Sequence, residues 1–514
     1  MNEHTETIAG NASIVAGATV LSRILGFIRD VIIAFALGAG PLGDAFFVAF
    51  RIPNLLRRLF AEGSLTMAFV PIFTRTRQEE GLEPAFTLAR STRVWLLIIL
   101  GALTLLFLLA ARPLTFLIAP GLSGHLQTFE LTVSLVRICF PYIVCISLVA
   151  LCMGILNSMG HFLAPALAPC ILNIALISAA LSAAAAGTSV PHALALGVLV
   201  AGLGQYLLQL PFLRRQGFSW RGPAPLKNPS VGKVGRLMLP TIAGAAVYQL
   251  NIVLNTILAS FLVQGSISYL YYADRLVQFP LGIFGIAIST AALPSFSGLS
   301  AQGRIQDFIE TLKDTIHLTL YISLPAMAGL MGLAHPLVKT LFARGAFDAA
   351  AVQGTAAALL AYAAGLPAFC AIRSLVSAFY ALEDTRTPVT IAAVCLVLNL
   401  GLGLLLMQPL AHAGLALAVS IASWTNIVLL GLRLNQKIGR WFHWEAGVFW
   451  MLLFSLGIGF GSFLTAAWGW PSLILIPVWT GVYYLATQAC KLREAQMIAR
   501  LISRRFTRNQ RLHD

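Results

Sequence analysis

Residues 12–37 read ASIVAGATVLSRILGFIRDVIIAFAL, an apolar run with Arg23, Arg29 and Asp30 near its centre. About 20 predominantly apolar residues make a membrane-spanning helix. Each central charge costs roughly 2.5 to 3.5 kcal/mol on insertion scales, so three lipid-facing charges would forfeit on the order of 8 to 10 kcal/mol. These groups must therefore face water, protein or ligand. The next run, GDAFFVAFRIPNLLRRLFAEGSLTMAFVPIF over residues 43–73, repeats the conflict with Asp44, Arg51, Arg57, Arg58 and Glu62. An ionisable group at membrane depth is a functional-site hypothesis by default.

The rest of the chain has the same character. Its 514 residues are 58% hydrophobic and 10% charged, with mean hydropathy +0.84, far outside the soluble range. Apolar runs of helix-spanning length recur between short polar breaks, which predicts an all-α polytopic membrane protein rather than a barrel. We expect about fourteen helices, near 12–37, 43–73, 94–118, 131–157, 162–186, 192–213, 238–263, 267–298, 315–336, 354–381, 388–408, 412–432, 446–468 and 472–490. Residues 1–10 lack the basic flank of a cleavable secretion signal.

Of the 34 Lys and Arg, 16 fall in one set of alternate loops and seven follow residue 490. The other loops hold only Arg112, Lys339 and Arg344. The positive-inside rule then puts both termini in the cytoplasm and makes the net charge of +15 mostly topological. Charge so dispersed does not fit nucleic-acid binding. The eight remaining cations are the intramembrane arginines: Arg23, Arg29, Arg51, Arg57, Arg58, Arg137, Arg275 and Arg373. Seven cysteines without a CxxC pair and nine scattered histidines give neither a disulfide framework nor a metal site.

Landmarks recur in order at a spacing of roughly 220 to 226 residues: Pro71 and Pro294, Pro141 and Pro367, Pro165 and Pro388, His192 and His412. This echo predicts two parallel six-helix lobes, 1–213 and 238–434, joined by a cytoplasmic linker at 214–237. Helices 13 and 14 over 446–490 and a basic tail at 491–514 have no counterpart.

On a helix Arg23, Gly26 and Asp30 share one stripe, with Arg29 turned about 120° from Arg23. Asp30 can partner one arginine and leaves the other over. Arg51, Arg58 and Glu62 share another stripe, with Arg57 turned away. These second-span charges serve equally well as structural staples near the interface. In the eighth span, SYLYYADRLVQFP sets Asp274 and Arg275 after three tyrosines, and Pro280 loosens the backbone one turn later. Arg137 has Glu130 as its expected partner, whereas Arg373 has no local acid. Surplus guanidinium groups suit an anion, and planar arginine matches phosphate bidentately.

SRILGFIRD, the second-span stretch above, FPYI followed by ILNSMGHFLAPALAP, and YYADRLVQFPLGIFGIAISTAALPSF resemble the MurJ (MviN) lipid II flippases. The likeness covers nearly the whole chain. It implies the fold of the multidrug/oligosaccharidyl-lipid/polysaccharide exporter superfamily, with the two added helices forming a lipid-tail groove. The implied activity is non-enzymatic: undecaprenyl-pyrophosphate-linked peptidoglycan precursor moves from the cytoplasmic to the periplasmic leaflet of the bacterial inner membrane by alternating access. By resemblance Arg23, Arg29 and Arg275 bind the head group, and Asp30, Asp44, Arg51, Arg57, Glu62 and Arg373 support activity. Arg51 and Arg373 stand where relatives can carry lysine, which changes hydrogen-bond geometry. Lipid II, membrane lipids and the cell-wall synthesis machinery are the implied partners. No cofactor is expected; the membrane potential, with or without a coupling ion, is the implied drive.

Two rivals remain at this stage. A drug or small-cation exporter of the same superfamily would call for acids or aromatics in its cavity. An enzyme acting on polyprenyl phosphates would need clustered carboxylates for a metal, and the adjacent Glu383 and Asp384 read instead as a helix-end cap. No GxxxxGK[ST] motif provides for ATP drive.

Overall fold

The computed structural model describes residues 3–58, 64–442 and 445–500, and only the backbone for 3–13, 241 and 243–248. In chain order the helices are α1 (Glu3–Leu37), α2 (Pro41–Leu56), α3 (Thr66–Glu79), α4 (Leu82–Leu109), α5 (Ala111–Ile118), α6 (Leu126–Cys139), α7 (Tyr142–Ser158), α8 (Leu163–Ala186), α9 (Val190–Arg215) and α10 (Pro229–Ser260). They continue as α11 (Ser266–Pro280), α12 (Ile286–Ala301), α13 (Ile305–Gly332), α14 (Ala334–Phe342), α15 (Ala349–Ala363), α16 (Leu366–Ala381), α17 (Arg386–Ile438), α18 (Ala446–Ala467) and α19 (Ser472–Ala489).

Each of the fourteen expected runs falls on helix, but several are broken. The second run becomes α2 and α3, with π-helical turns at residues 57–58 and 64–65. The eighth becomes α11 and α12, joined by a π-helical turn at Leu281–Gly285 just after Pro280. The fourth and tenth break beside Pro141 and Gly365, where α15 and α16 meet at 42°. Short helices α5 and α14 follow α4 and α13. Broken helix, long helix, short helix and broken pair thus occur twice in the same order. Expected spans eleven and twelve are merged in α17, which turns at Ala411, φ +48°. Eight helical stretches, with α6–α7 and α11–α12 each taken as one, or ten counting the bent pairs, are long and apolar enough to cross a membrane among the described residues. The fold is that of an all-helical, multi-pass membrane protein.

Packing divides the chain into two compact units, one of residues 1–268 with 344–348, the other of 269–343 with 349–514. In the first, small residues bring helices close, as membrane helices require where burial from water supplies no drive. Gly202 of α9 lies against Tyr142 and Cys145 of α7, and Gly197 lies against Ala179 of α8. A strap formed by the residues between α9 and α10 lies along α4. Arg90, 4% exposed, donates to the Ser219 carbonyl at 2.9 Å and to Glu83 at 2.7 Å. Trp95 Nε1 donates to the Leu226 carbonyl at 2.9 Å, and Phe218 is buried edge-on to Phe86. The strap ends at Asn228, whose side chain accepts from the Ser230 amide and caps α10.

In the second unit, α13 crosses α18 where Gly332 meets Gly459 and Ser462, while Gly461 receives the Trp479 ring of α19. The hydroxyls of Thr311, Thr315, Thr319 and Ser323 each donate to the carbonyl four residues earlier. This ladder satisfies polar groups along α13 without outside partners. Asp384 accepts from the amide and hydroxyl of Thr387 and pairs with Lys437 at 2.5 Å, capping α17 and tying its two ends. Burial pushes its pKa up, but Lys437 and Thr387 outweigh burial and hold the carboxyl well below the usual carboxylate range.

Candidate functional site

Helix α1 carries the first group of charges. Arg29 donates from Nε and Nη2 to the same oxygen of Asp30, at 3.0 and 2.7 Å. Asp30 is 4% exposed, so its charge is satisfied inside protein rather than in lipid. Arg29 Nη1 also reaches Asn173 Oδ1 of α8 at 3.0 Å, a contact the sequence reading missed. Arg23 is exposed and forms no hydrogen bond or ion pair with the other described residues. One acid and two arginines leave this segment with a net positive charge, the condition for holding an anion.

A second group sits at the opposite end of α1 from the N-terminus. Asp44, 2% exposed, accepts from the Gly265 amide at 2.6 Å, the Ser268 amide at 2.8 Å and the Ser268 hydroxyl at 2.7 Å. Its carboxylate therefore caps the N-terminus of α11 from a distant segment and meets the positive end of that helix. Beside it the Ala346 amide donates to the Phe35 carbonyl at 2.8 Å. Gly38, φ +71°, faces the Ala346 carbonyl, and Gly345, φ +60°, faces Phe35. Any Cβ at either glycine would collide with backbone. The loop over 344–348 thus closes on the turn between α1 and α2.

The remaining second-span charges are held locally. Arg51 donates to the Thr256 hydroxyl of α10, and Arg57 Nε donates to Asn54 Oδ1 at 3.1 Å. Glu62, expected one turn from Arg58, lies outside the described residues. π-helical geometry begins at residue 57, so the pitch of 3.6 residues per turn that relates Arg51 to Arg58 is observed only as far as residue 56.

In the second unit Arg275 is half-buried, with its guanidinium over the Tyr271 ring at 4.7 Å from the centroid. Asp274 accepts from Gln278 at 3.3 Å. The π-helical turn at 281–285 follows within two turns, a feature frequent at functional sites. Arg373 on α16 is exposed. One expected pair is corrected: Glu130 binds Arg112 at 2.8 Å, and Arg137 is exposed. Arg137 lies seven residues from Glu130 and two turns along the same helix, whereas α5 brings Arg112 alongside. Among the described residues no group of three or more His, Cys, Asp or Glu is arranged to hold a metal ion.

Asn173, Thr256, Gly265 and Ser268 were not singled out in the sequence. Each is a neutral partner supplied by a distant segment, and no local spacing marks it.

Comparison with known proteins places these features in context. The family model "Lipid II flippase MurJ" matches residues 33–485. A probable lipid II flippase MurJ of Vibrio cholerae serotype O1 is 39% identical over 431 residues, 82% of each chain. The lipid II flippase MurJ of Burkholderia cenocepacia is 38% identical over 427 residues, covering 82% of this chain and 83% of the relative. A solved structure described as lipid II flippase MurJ in an inward closed conformation superposes with TM-score 0.79 at 28% identity, covering 92% of this chain and 98% of that one. An inward-facing MATE-family multidrug transporter of the MOP superfamily superposes with TM-score 0.67 at 14% identity, a likeness of fold alone.

Proposed function

Because the chain belongs to the lipid II flippase MurJ family, whose members are transporters and not enzymes, we propose that it carries lipid II from the cytoplasmic to the periplasmic leaflet by alternating access, with Arg23, Arg29 and Arg275 holding the pyrophosphate. The observation that carries this reading is the charge on α1. Arg23 stands exposed and unengaged by the other described residues at membrane depth, one helical face from an Arg29 already fixed by Asp30. A cation at this depth is costly unless an anionic ligand or water meets it, and pyrophosphate offers oxygens spaced for guanidinium forks.

The loop-charge bias supports cytoplasmic termini, which puts the Asp44, Gly38 and Ala346 contacts at the periplasmic end. There they act as a seal that opens when the head group is released outward. The head group enters from the cytoplasm and the polyprenyl tail stays in lipid along α18 and α19, whose outward faces expose Phe449, Phe460, Phe463 and Leu473. Two six-helix lobes, 1–213 and 238–434, rock about the site, with 446–490 as the added pair. The protein lowers a barrier and makes no bond. With the cell interior negative, outward movement of one net negative charge is favoured by roughly 2.3 kcal/mol per 100 mV, so the potential assists export or resets the empty carrier.

The test is a leaflet-accessibility assay for lipid II in cells depleted of the wild-type protein. Arg23→Ala or Arg275→Ala abolishes flipping while the protein remains inserted, and the lysine variants retain part of it. Full complementation by both alanine variants rejects the assignment.

A further inference from the structure

We infer that Asn173 is a positioning residue for Arg29, presetting its guanidinium for the anionic head group; the inference rests on the reading of Arg29 as a head-group ligand.

Asn173 lies on α8, 4% exposed, against the notch that Gly26 leaves in α1. A Cβ at Gly26 would come within 3.7 Å of the Asn173 amide, so the side chain fills the space opposite that glycine. The Asn173 amide bridges two points of α1. Nδ2 donates to the Ser22 carbonyl at 3.0 Å, and Oδ1 accepts from Arg29 Nη1 at 3.0 Å. A carbonyl only accepts and a guanidinium only donates, so this pairing fixes which way the amide faces. Ser22, Gly26 and Arg29 occupy successive turns, and the amide therefore registers α1 against α8 over the stretch that carries both arginines.

Arg29 is consequently held from two sides, by Asp30 on its own helix and by Asn173 on another. An arginine side chain has several rotatable bonds, and a ligand that must freeze them binds more weakly than one that meets a fixed fork. Neutrality matters as much as placement. An amide orients the guanidinium without cancelling charge, whereas a carboxylate at residue 173 would balance Arg23, Arg29 and Asp30 to zero. The second half repeats the sequence around this asparagine: Leu172-Asn173-Ile174 has its counterpart in Leu398-Asn399-Leu400 one repeat further on, and Asn399 is 1% exposed.

The experiment measures binding of undecaprenyl pyrophosphate to the full-length protein in lipid nanodiscs, for Asn173→Ala, Asn173→Asp, Arg29→Ala and the Arg29→Ala/Asn173→Ala pair. Asn173→Ala is expected to weaken binding on the order of tenfold, the range of a hydrogen bond to a charged group. Asn173→Asp, nearly isosteric, weakens it further. In the Arg29→Ala background removal of Asn173 adds no further loss, because the group it positioned is gone. Thermal midpoints are recorded for every variant, and the single Asn173→Asp variant still reads the loss of affinity if the alanine variant folds poorly. If Arg29→Ala weakens binding while the Asn173 losses simply add to it, or if neither Asn173 variant changes affinity, the positioning role is overturned and Arg29 stays a ligand. If Arg29→Ala binds as tightly as wild type, the head-group reading fails and the positioning role falls with it.

Discussion

Asp44→Asn tests whether the contacts around the α1–α2 turn form one closing unit. The carboxylate accepts three hydrogen bonds, two from Ser268 and one from Gly265, at an average well below 3 Å. An amide keeps one accepting oxygen and turns its NH2 towards at least one of those donors. The loss comprises charge assistance on the surviving bonds, one stranded buried donor and the favourable field of the α11 N-terminus, together about 3 to 5 kcal/mol. That is a shift of about a hundredfold to a few thousandfold against the closed arrangement. Amide hydrogen exchange followed by mass spectrometry reads it directly. Protection of Gly265 and Ser268 falls because their acceptor changes. The decisive amide is Ala346, which bonds to Phe35 and not to Asp44. If its protection falls in parallel, the contacts open together. If Gly265 exchanges faster while Ala346 is unchanged, the seal is not cooperative and the reasoning is refuted.

Gly38→Ala meets both a left-handed backbone and the Ala346 carbonyl, so it loosens the same loop by about 1 to 3 kcal/mol and lowers Ala346 protection with Asp44 intact. Gly461→Val drives a branched side chain into the Trp479 ring and separates α19 from α18, expected as a fall in thermal midpoint in detergent with α1 contacts unaffected. Arg90→Ala removes a buried cation from Glu83 and the Ser219 carbonyl, and circular dichroism melting registers the loss as about 1.5 to 3 kcal/mol. Lys437 and Thr387 hold the Asp384 pKa in the folded protein well below its unfolded value, so its tie to Lys437 is fully present above the ordinary carboxylate range and is lost progressively as pH falls far below that range. Asp384→Asn should therefore lower stability at neutral pH, and its effect should shrink only as pH falls well below the ordinary carboxylate range, measured by thermal melts across pH.

The succession of helices was legible because hydropathy reports every apolar run regardless of tertiary detail. Breaks were legible only in part. Pro280 announced the π-helical turn that follows it, whereas the turns at 57–58 and 64–65 carry no such mark, and Arg51 was related to Arg58 at regular pitch across the first of them. Asp30 with Arg29 could be anticipated from adjacency. Asp44 with Gly265 and Ser268 could not, because backbone amides at a remote helix end have no sequence signature. Glu130 shows the limit of arguing along one helix: its nearest guanidinium came from α5 next door.

The strap from α9 to α10 has no slack. Arg90, Arg93 and Trp95 fasten the Ser219, Trp220 and Leu226 carbonyls to α4, and Asn228 begins the next helix at once. A connector tied down at so many points behaves as a lever arm rather than a tether. Any tilt of the N-terminal end of α10 is then transmitted to α4, so lengthening this polar segment with glycine and serine would uncouple two helices that no direct substitution at their interface needs to touch.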